Sequence, residues 1–311
     1  VAQLTQHRVY AVVVTYLPPA AFLSELFIAL APQLERIVVV DNTPFNDSCV
    51  EDLIDELSLT SVKLIGLGRN LGIAKALNVG IEEAMQSGAT HVLLSDQDSV
   101  PHSDMVNGLL RALSELTESG QRIGATGPTF TDMHTGITFP FQAKIHGKFF
   151  YGHIPTSVEH PLVEAMTLIT SGSLIPVNVF SDVGLMREDL FIDKVDIEWC
   201  HRARAAGYKL FGTNYATMFH RLGDAHLRVW YFGWRKESVY SASRIYYQIR
   251  NFIALSKVSY ISPRWKIRNA WFTLGVIYGQ VVFGHDRRRC FHMALRGVCD
   301  GIRGNMGPLQ H

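Results

Sequence analysis

The chain has 311 residues, 47% hydrophobic and 18% charged, enough to bury a substantial core; it is neither a disordered tail nor a disulfide-stapled miniprotein. Its formal net charge of +1 conceals a split: residues 1–225 carry 15 Lys and Arg against 25 Asp and Glu, and residues 226–311 carry 14 against 3. An acidic body with a basic, aromatic tail implies that the tail meets an anionic membrane or nucleic acid, or docks on the body itself.

Residues 9–15 are a short β-branched run and read as a strand; the N-terminus shows no basic region, apolar core and cleavage site of a secretory signal. Four cysteines (Cys49, Cys200, Cys290, Cys299) form no C-x-x-C pair, which with the missing signal leads to the expectation of a reducing, cytoplasmic setting. A helix is predicted over 19–30, a second strand over 36–40 that runs into Asp41-Asn42, and a third over 62–67. From 72 to 85, Ile73, Ala74, Leu77, Ile81, Ala84 and Met85 recur at helical spacing. A fourth strand over 91–94 runs straight into Ser95-Asp96-Gln97-Asp98. This alternation predicts βαβ crossovers and a mostly parallel sheet, in which ligands bind beyond the carboxyl ends of the strands. Three such ends carry polar groups: Thr15-Tyr16, Asp41-Asn42 and Asp96-Gln97-Asp98.

Residues 127–160, rich in Gly, Pro and His, read as loops and short strands beside the site; 163–173 reads as a strand and 196–206 as a helix bearing Asp196, Glu198, Arg202 and Arg204. The composition shift at 224–226 is the candidate boundary between a body, 1–225, and a basic extension, 226–311, with helices predicted over 240–257 and 265–283. The apolar stretch 270–283 is short of the about 20 residues that span a bilayer. Lys266 and Arg268 precede it and Arg287-Arg288-Arg289 follow, as in a segment lying among anionic headgroups; a buried helical hairpin is the competing reading. The aromatics interleaved with arginines there match no nucleic-acid reader motif.

Two carboxylates one residue apart after an apolar strand, Asp96 and Asp98, suit a hard cation shared with substrate phosphates, and hence a nucleotide diphosphate. Residues 92–100 also resemble the opening motif of haloacid-dehalogenase-type phosphatases, where the first Asp is a nucleophile and the second a general acid. There the motif lies on the first strand of the core, whereas here a long βαβ pattern precedes it. The histidines show no H-x-x-x-H spacing, so no structural zinc is expected.

Taken together, Val14-Thr15-Tyr16, Val39-Val40-Asp41-Asn42, the run from Arg69-Asn70 through Gly72 and Lys75 to Gly80, Asp96-Gln97-Asp98, Ser171-Gly172-Ser173 and the segment from Asp193 to Tyr208 resemble the family 2 glycosyltransferases of GT-A fold, a Rossmann-like α/β architecture with a mostly parallel sheet flanked by helices. Val195-Asp196-Ile197-Glu198-Trp199-Cys200 and the later Arg244-Ile-Tyr-Tyr-Gln-Ile-Arg250-Asn251 are most similar to rhamnosyltransferases. The resemblance implies a base pocket of Thr15, Tyr16 and Asp41, the Asp41 carboxylate accepting from the pyrimidine N–H. It puts Asn42, Arg69, Asn70, Gly72, Lys75, Asp96 and Gln97 around the rest of the donor, and Gly172, Ser173, Glu198 and Trp199 on the acceptor side. It implies Mg²⁺ or Mn²⁺ bound by Asp98, with His220 as a further ligand, and Asp196 as the base. Where the family carries Glu-Asp, this chain has Val195-Asp196, so Asp193 stands as the competing base.

The function expected from the resemblance is inverting, metal-dependent transfer of a sugar, L-rhamnose from dTDP-L-rhamnose, to a lipid-linked or lipopolysaccharide-type glycan. The basic extension would hold the enzyme on the inner face of the cell membrane. The alternatives are the phosphatase built on Asp96 and Asp98 and a nucleotide-sugar-binding protein without turnover.

Overall fold

The structure, a computed structural model, describes residues 7–44, 48–133, 135–221, 226–231 and 233–310; residues 224 and 225 of the candidate boundary lie outside the described residues. The chain begins with strands β1 (Val9–Thr15), β2 (Arg36–Pro44), β3 (Val62–Gly68) and β4 (His91–Asp96), separated by helices α1 (Ala20–Leu30), α2 (Val50–Glu56) and α3 (Ile73–Gln86). These four strands lie parallel in the order β3-β2-β1-β4. Every residue of β1 is buried, because both faces are covered. Tyr10, Val12 and Val14 enter the core beneath α3, and Val9, Ala11 and Val13 enter the one shared with α1. That two-sided burial is why β1 reads as a continuous apolar run rather than an alternating one. Pairing Thr15 with Asp41 and Val14 with Asp96 sets the three polar strand ends side by side.

The chain continues through β5 (Ser99–Pro101), α4 (Met105–Glu118), β6 (Ile123–Asp132), β7 (Phe141–Ala143), β8 (Gly152–Ile154), β9 (Leu162–Ala165), β10 (Leu174–Pro176), α5 (Val177–Val183), α6 (Val195–Ala205) and β11 (Lys209–His220). The sheet extends as β4-β10-β6-β11-β9-β7-β8, with β5 paired to the far end of β11. Two expectations need correction here. Residues 127–132, expected among loops and short strands beside the site, are instead the second half of the long strand β6; its Gly-Pro pair hides the strand signal, and Gly127 leaves room for Leu168, which a Cβ would meet at 3.0 Å. Residues 163–173 are not one strand: β9 ends at Ala165, and 166–173 run as a connection to β10.

The extension starts as a hairpin, β12 (His226–Trp230) with β13 (Trp234–Ser238), and becomes helical in α7 (Ala242–Ser256), α8 (Pro263–Tyr278) with a π turn over 279–283, and α9 (Arg287–Arg303), which the sequence reading missed. Ser241 and Ser262 cap α7 and α8 by accepting from the amides of Arg244 and Trp265. Ile245 and Ile249 of α7, Val276 of α8 and Cys290 and Ala294 of α9 bury a separate small core. Among the described residues no helix is long and apolar enough to cross a membrane.

Candidate active site

A cleft of about 570 Å³ opens over the carboxyl ends of β1, β2 and β4. Thr15, Tyr16, Asn42, Asn70, Gly72, Asp96, Gln97 and Asp98 line it, together with Asp193, Lys194, Asp196, His220 and Arg244. At the β1–β4 junction the Tyr16 amide donates to Gln97 Oε1 (2.7 Å) and Gln97 Nε2 donates back to the Tyr16 carbonyl (3.3 Å). Asn42 and Asn70 lock β2 to the turn before α3: Asn42 Nδ2 donates to Asn70 Oδ1 (3.0 Å), which also accepts from the Gly72 amide (2.9 Å), and Asn42 Oδ1 accepts from the Leu71 amide (2.7 Å). Gly72 sits at φ +87°, and a Cβ there would lie 2.5 Å from Phe191 Cδ2, so the backbone and the close approach both require glycine.

Asp41 is buried behind this wall. Its Oδ1 accepts from Thr15 Oγ1 (2.8 Å) and the Thr43 amide (3.2 Å), and its Oδ2 accepts from Ser48, so both oxygens are engaged and the residue does not line the cleft. Arg69 is exposed outside the lining, and Lys75 is turned to Glu188 on the surface at 3.1 Å. Gly72 therefore does reach the cleft, while Arg69 and Lys75 of the same run do not.

Asp96, Asp98 and His220 converge, each offering a ligand atom within 4.8 Å of the others. His220 comes from the last position of β11, 121 residues after Ser99, and arrives because β11 pairs antiparallel with β5 and sets His220 opposite Ser99. A serine relay holds the group together. Ser99 Oγ contacts His220 Nδ1 (2.7 Å) and donates to Ser171 Oγ (2.8 Å), and Ser171 donates to Asp96 Oδ2 (2.9 Å) and accepts from the Asp96 amide (2.8 Å). Ser171 stands in one of the motifs that carry the resemblance, but the sequence assigned neither Ser99 nor Ser171 a role of its own. Burial first, and the Asp98 charge second, push the Asp96 carboxyl up. Asp98 Oδ1 is buried without a hydrogen-bond partner among the described residues. Two carboxylates and an imidazole around one orphaned oxygen are a donor set that fits a divalent cation.

In the same cleft, Asp196 stands in the first turn of α6, and burial pushes its carboxyl up to about 6. Asp193 lies beside it, its Oδ1 paired with Arg244 Nε at 3.2 Å and its Oδ2 buried without a partner among the described residues. Glu198 and Trp199, expected on the acceptor side, face inward instead. Glu198 is fully buried, bound by Arg202 (3.0 Å) and by the Tyr260 hydroxyl, and Trp199 Nε1 donates to the Gly184 carbonyl (3.0 Å). The helical period explains Glu198, which two positions beyond Asp196 falls about 200° round the helix; Trp199 is drawn inward by its packing on Phe180, with ring centroids 5.7 Å apart. Gly172 and Ser173 likewise fall outside the lining; Ser173 is buried and donates to the Ile169 carbonyl at 2.6 Å.

The sequence pattern described as glycosyl transferase family 2 matches residues 10–165. The dTDP-rhamnosyl transferase RfbF of Shigella flexneri is 32% identical over 303 residues, covering 96% of this chain and 97% of that protein. The galactofuranosyltransferase GlfT1 of Mycobacterium tuberculosis is 26% identical over 209 residues, 66% of this chain and 67% of that one. Among solved structures, GalNAc-T7 with UDP, GalNAc and Mn²⁺ superposes with a TM-score of 0.63 at 12% identity over 96% of this chain, which spans 56% of that longer chain. The 1–349 fragment of S. aureus TarS with UDP-GlcNAc superposes with a TM-score of 0.53 at 13% identity, covering 95% of this chain and 81% of that one. The expected α/β architecture is thus the GT-A fold, and the chain belongs to family 2 of the glycosyltransferases.

Proposed function

We propose that this glycosyltransferase moves L-rhamnose from dTDP-L-rhamnose to a hydroxyl of a lipid-linked or lipopolysaccharide-type glycan, with inversion at the anomeric carbon. The observation that carries the reading is the placement of Asp96, Asp98 and His220 with Asp196 in one cleft, joined to full-length similarity with a protein named as a dTDP-rhamnosyl transferase. The base and ribose would lie along Thr15, Tyr16, Asn42 and Gln97. Asp98 and His220, with Asp96 adjoining, would hold Mg²⁺ or Mn²⁺, which when bound supplies Lewis-acid stabilisation of the departing diphosphate. Asp196 takes the proton of the acceptor hydroxyl as that oxygen attacks the anomeric carbon from the face opposite the nucleotide. A single base and direct displacement convert a β-linked donor to an α-glycoside, with no covalent glycosyl enzyme.

Calorimetric titration with dTDP-L-rhamnose, UDP-galactofuranose, UDP-GlcNAc and a GDP-hexose, each with Mn²⁺, tests the donor. The dTDP sugar is expected to bind at least tenfold more tightly than the others, and a UDP sugar binding tightest would overturn the assignment. Proton NMR of the product then reads the anomeric configuration.

We also assign the extension to an anionic bilayer surface. Along α8 and its π turn, Ile267, Trp271, Leu274, Tyr278 and Val282 are all exposed, Trp271 at 72%, and they recur at helical spacing on one face. On α9, Phe291, Leu295 and Ile302 form a second exposed apolar stripe behind the exposed Arg287, Arg288 and Arg289. Large apolar faces turned to solvent mark an interaction surface, and the surplus of 11 positive charges in 226–311 favours a negative surface over a second, equally basic copy. Co-sedimentation with phosphatidylglycerol vesicles is expected to weaken at least tenfold in 0.5 M salt and in Trp271→Ser; equal pelleting with neutral vesicles would refute the charge argument.

A further inference from the structure

We propose that Arg250 and Asn251 of α7, far in sequence from the nucleotide-binding strands, are positioning residues of the active site. They hold the strained segment 189–194 so that Asp193 and the first turn of α6, with Asp196, face the cleft. The inference rests on the reading of Asp196 as base for its catalytic consequence alone.

The backbone calls for such a clamp. Of the non-glycine residues at positive φ among the described residues, Phe191 (+65°), Asp193 (+63°) and Lys194 (+63°) lie in this one segment. Left-handed conformations at residues with a Cβ persist only where the surroundings over-determine them, and they gather at functional sites. Such a chain forms no regular ladder, so its buried carbonyls need partners from elsewhere.

Two fully buried side chains of α7 supply them. Asn251 Nδ2 lies 3.0 Å from the Leu190 carbonyl, 2.7 Å from that of Ile192 and 2.8 Å from that of Asp193. Arg250 Nη2 donates to the Leu190 carbonyl (2.9 Å) and the Asp189 carbonyl (3.3 Å), and Nη1 donates to Gly307 in the chain's last turn. Arg250 also fixes its neighbour, donating to Asn251 Oδ1 through Nε and Nη2 at 3.0 and 2.9 Å. The guanidinium stands over the rings of Tyr246 and Tyr247, 5.4 and 4.9 Å from their centroids, which eases its burial without a carboxylate.

The same segment is gripped on its other sides. The Phe191 ring stacks on Tyr247 with centroids 5.1 Å apart and abuts Gly72 in the cleft wall. Arg244 pairs with Asp193, and Lys194 Nζ donates to Asn269 of α8 at 3.0 Å. The extension therefore completes the cleft rather than being appended to it.

Hydrogen exchange and kinetics test the clamp on the full chain. In Asn251→Leu, which removes the donors at similar volume, and in the milder Arg250→Lys, amides of 189–197 are expected to exchange at least tenfold faster while those of β1 and β4 keep their protection. Calorimetric affinity for dTDP with Mn²⁺ is expected to stay within twofold while turnover of dTDP-L-rhamnose falls at least a hundredfold. Val298→Ala, which loosens α9 against α7 without touching the segment, provides the comparison for general loosening. In the parent protein, 189–197 should open together with the end of α7, a measurement that needs no variant. Exchange that rises equally everywhere, or a parent segment that opens independently of α7, would overturn the proposal. Faster segment exchange with unchanged turnover would keep the clamp and discard Asp196 as the base.

Discussion

Replacing Asp196 by Asn is expected to lower transfer about 10²- to 10⁴-fold, the range for loss of a positioned general base, with dTDP affinity within twofold of the parent. The amide keeps the shape of the carboxylate and its place at the start of α6, but it cannot take a proton. The proposed donor contacts come from the ends of β1, β2 and β4 rather than from α6, which is why binding and turnover are expected to separate. The pH profile carries the same argument. Burial raises the Asp196 carboxyl to about 6, so below that pH the residue is protonated and inactive as a base. The logarithm of kcat should climb with unit slope as pH rises toward about 6 and then level, and Asp196→Asn should lack that inflection. If Asp196→Asn turns over near the parent rate and Asp193→Asn is silent, the base is Asp193; its pairing with Arg244 at 3.2 Å instead suits a residue held in place.

Asp98→Ala is expected to remove Mn²⁺-dependent nucleotide binding, with at least a hundredfold loss of dTDP affinity by calorimetry in the presence of Mn²⁺. Asp96, Asp98, Asp193 and Asp196 all line one cleft, and without a cation a diphosphate entering it would meet carboxylates of its own sign. Removing Asp98 also removes an oxygen, Oδ1, that is buried without a hydrogen-bond partner among the described residues and lies 3.8 Å from His220 Nδ1. Mn²⁺ electron paramagnetic resonance on the protein alone reads the site independently of the donor; unchanged Mn²⁺ binding in Asp98→Ala would move the metal away from this cluster. His220→Ala should be the weaker lesion, since Ser99 and Ser171 still hold Asp96.

Much of the donor side was legible because strand ends in a parallel sheet write themselves into the sequence. A buried run such as 9–15 or 91–94 stops where polar groups begin, and the parallel register brings those stops together. The helix 73–86 announced itself by periodicity, and α6 was read as a helix carrying Asp196, Glu198, Arg202 and Arg204. Legibility failed where a residue's direction depended on packing. Asp41 turned inward to Thr15 and Ser48, Lys75 turned outward to Glu188, and Glu198 and Trp199 entered the core from the helix that presents Asp196.

The amino-acid order alone thus determined the α/β layering, the polar strand ends and the paired carboxylates, since each follows from local hydrophobic period and from what must stop a strand. The family resemblance named His220 beside Asp98, but the folded chain decided how it arrives there, through the β5–β11 pairing that sets His220 opposite Ser99 across 121 residues, and that α7 holds the segment leading to Asp196. Contacts between distant stretches depend on which surfaces meet when the core closes, and no local spacing of residues encodes that meeting.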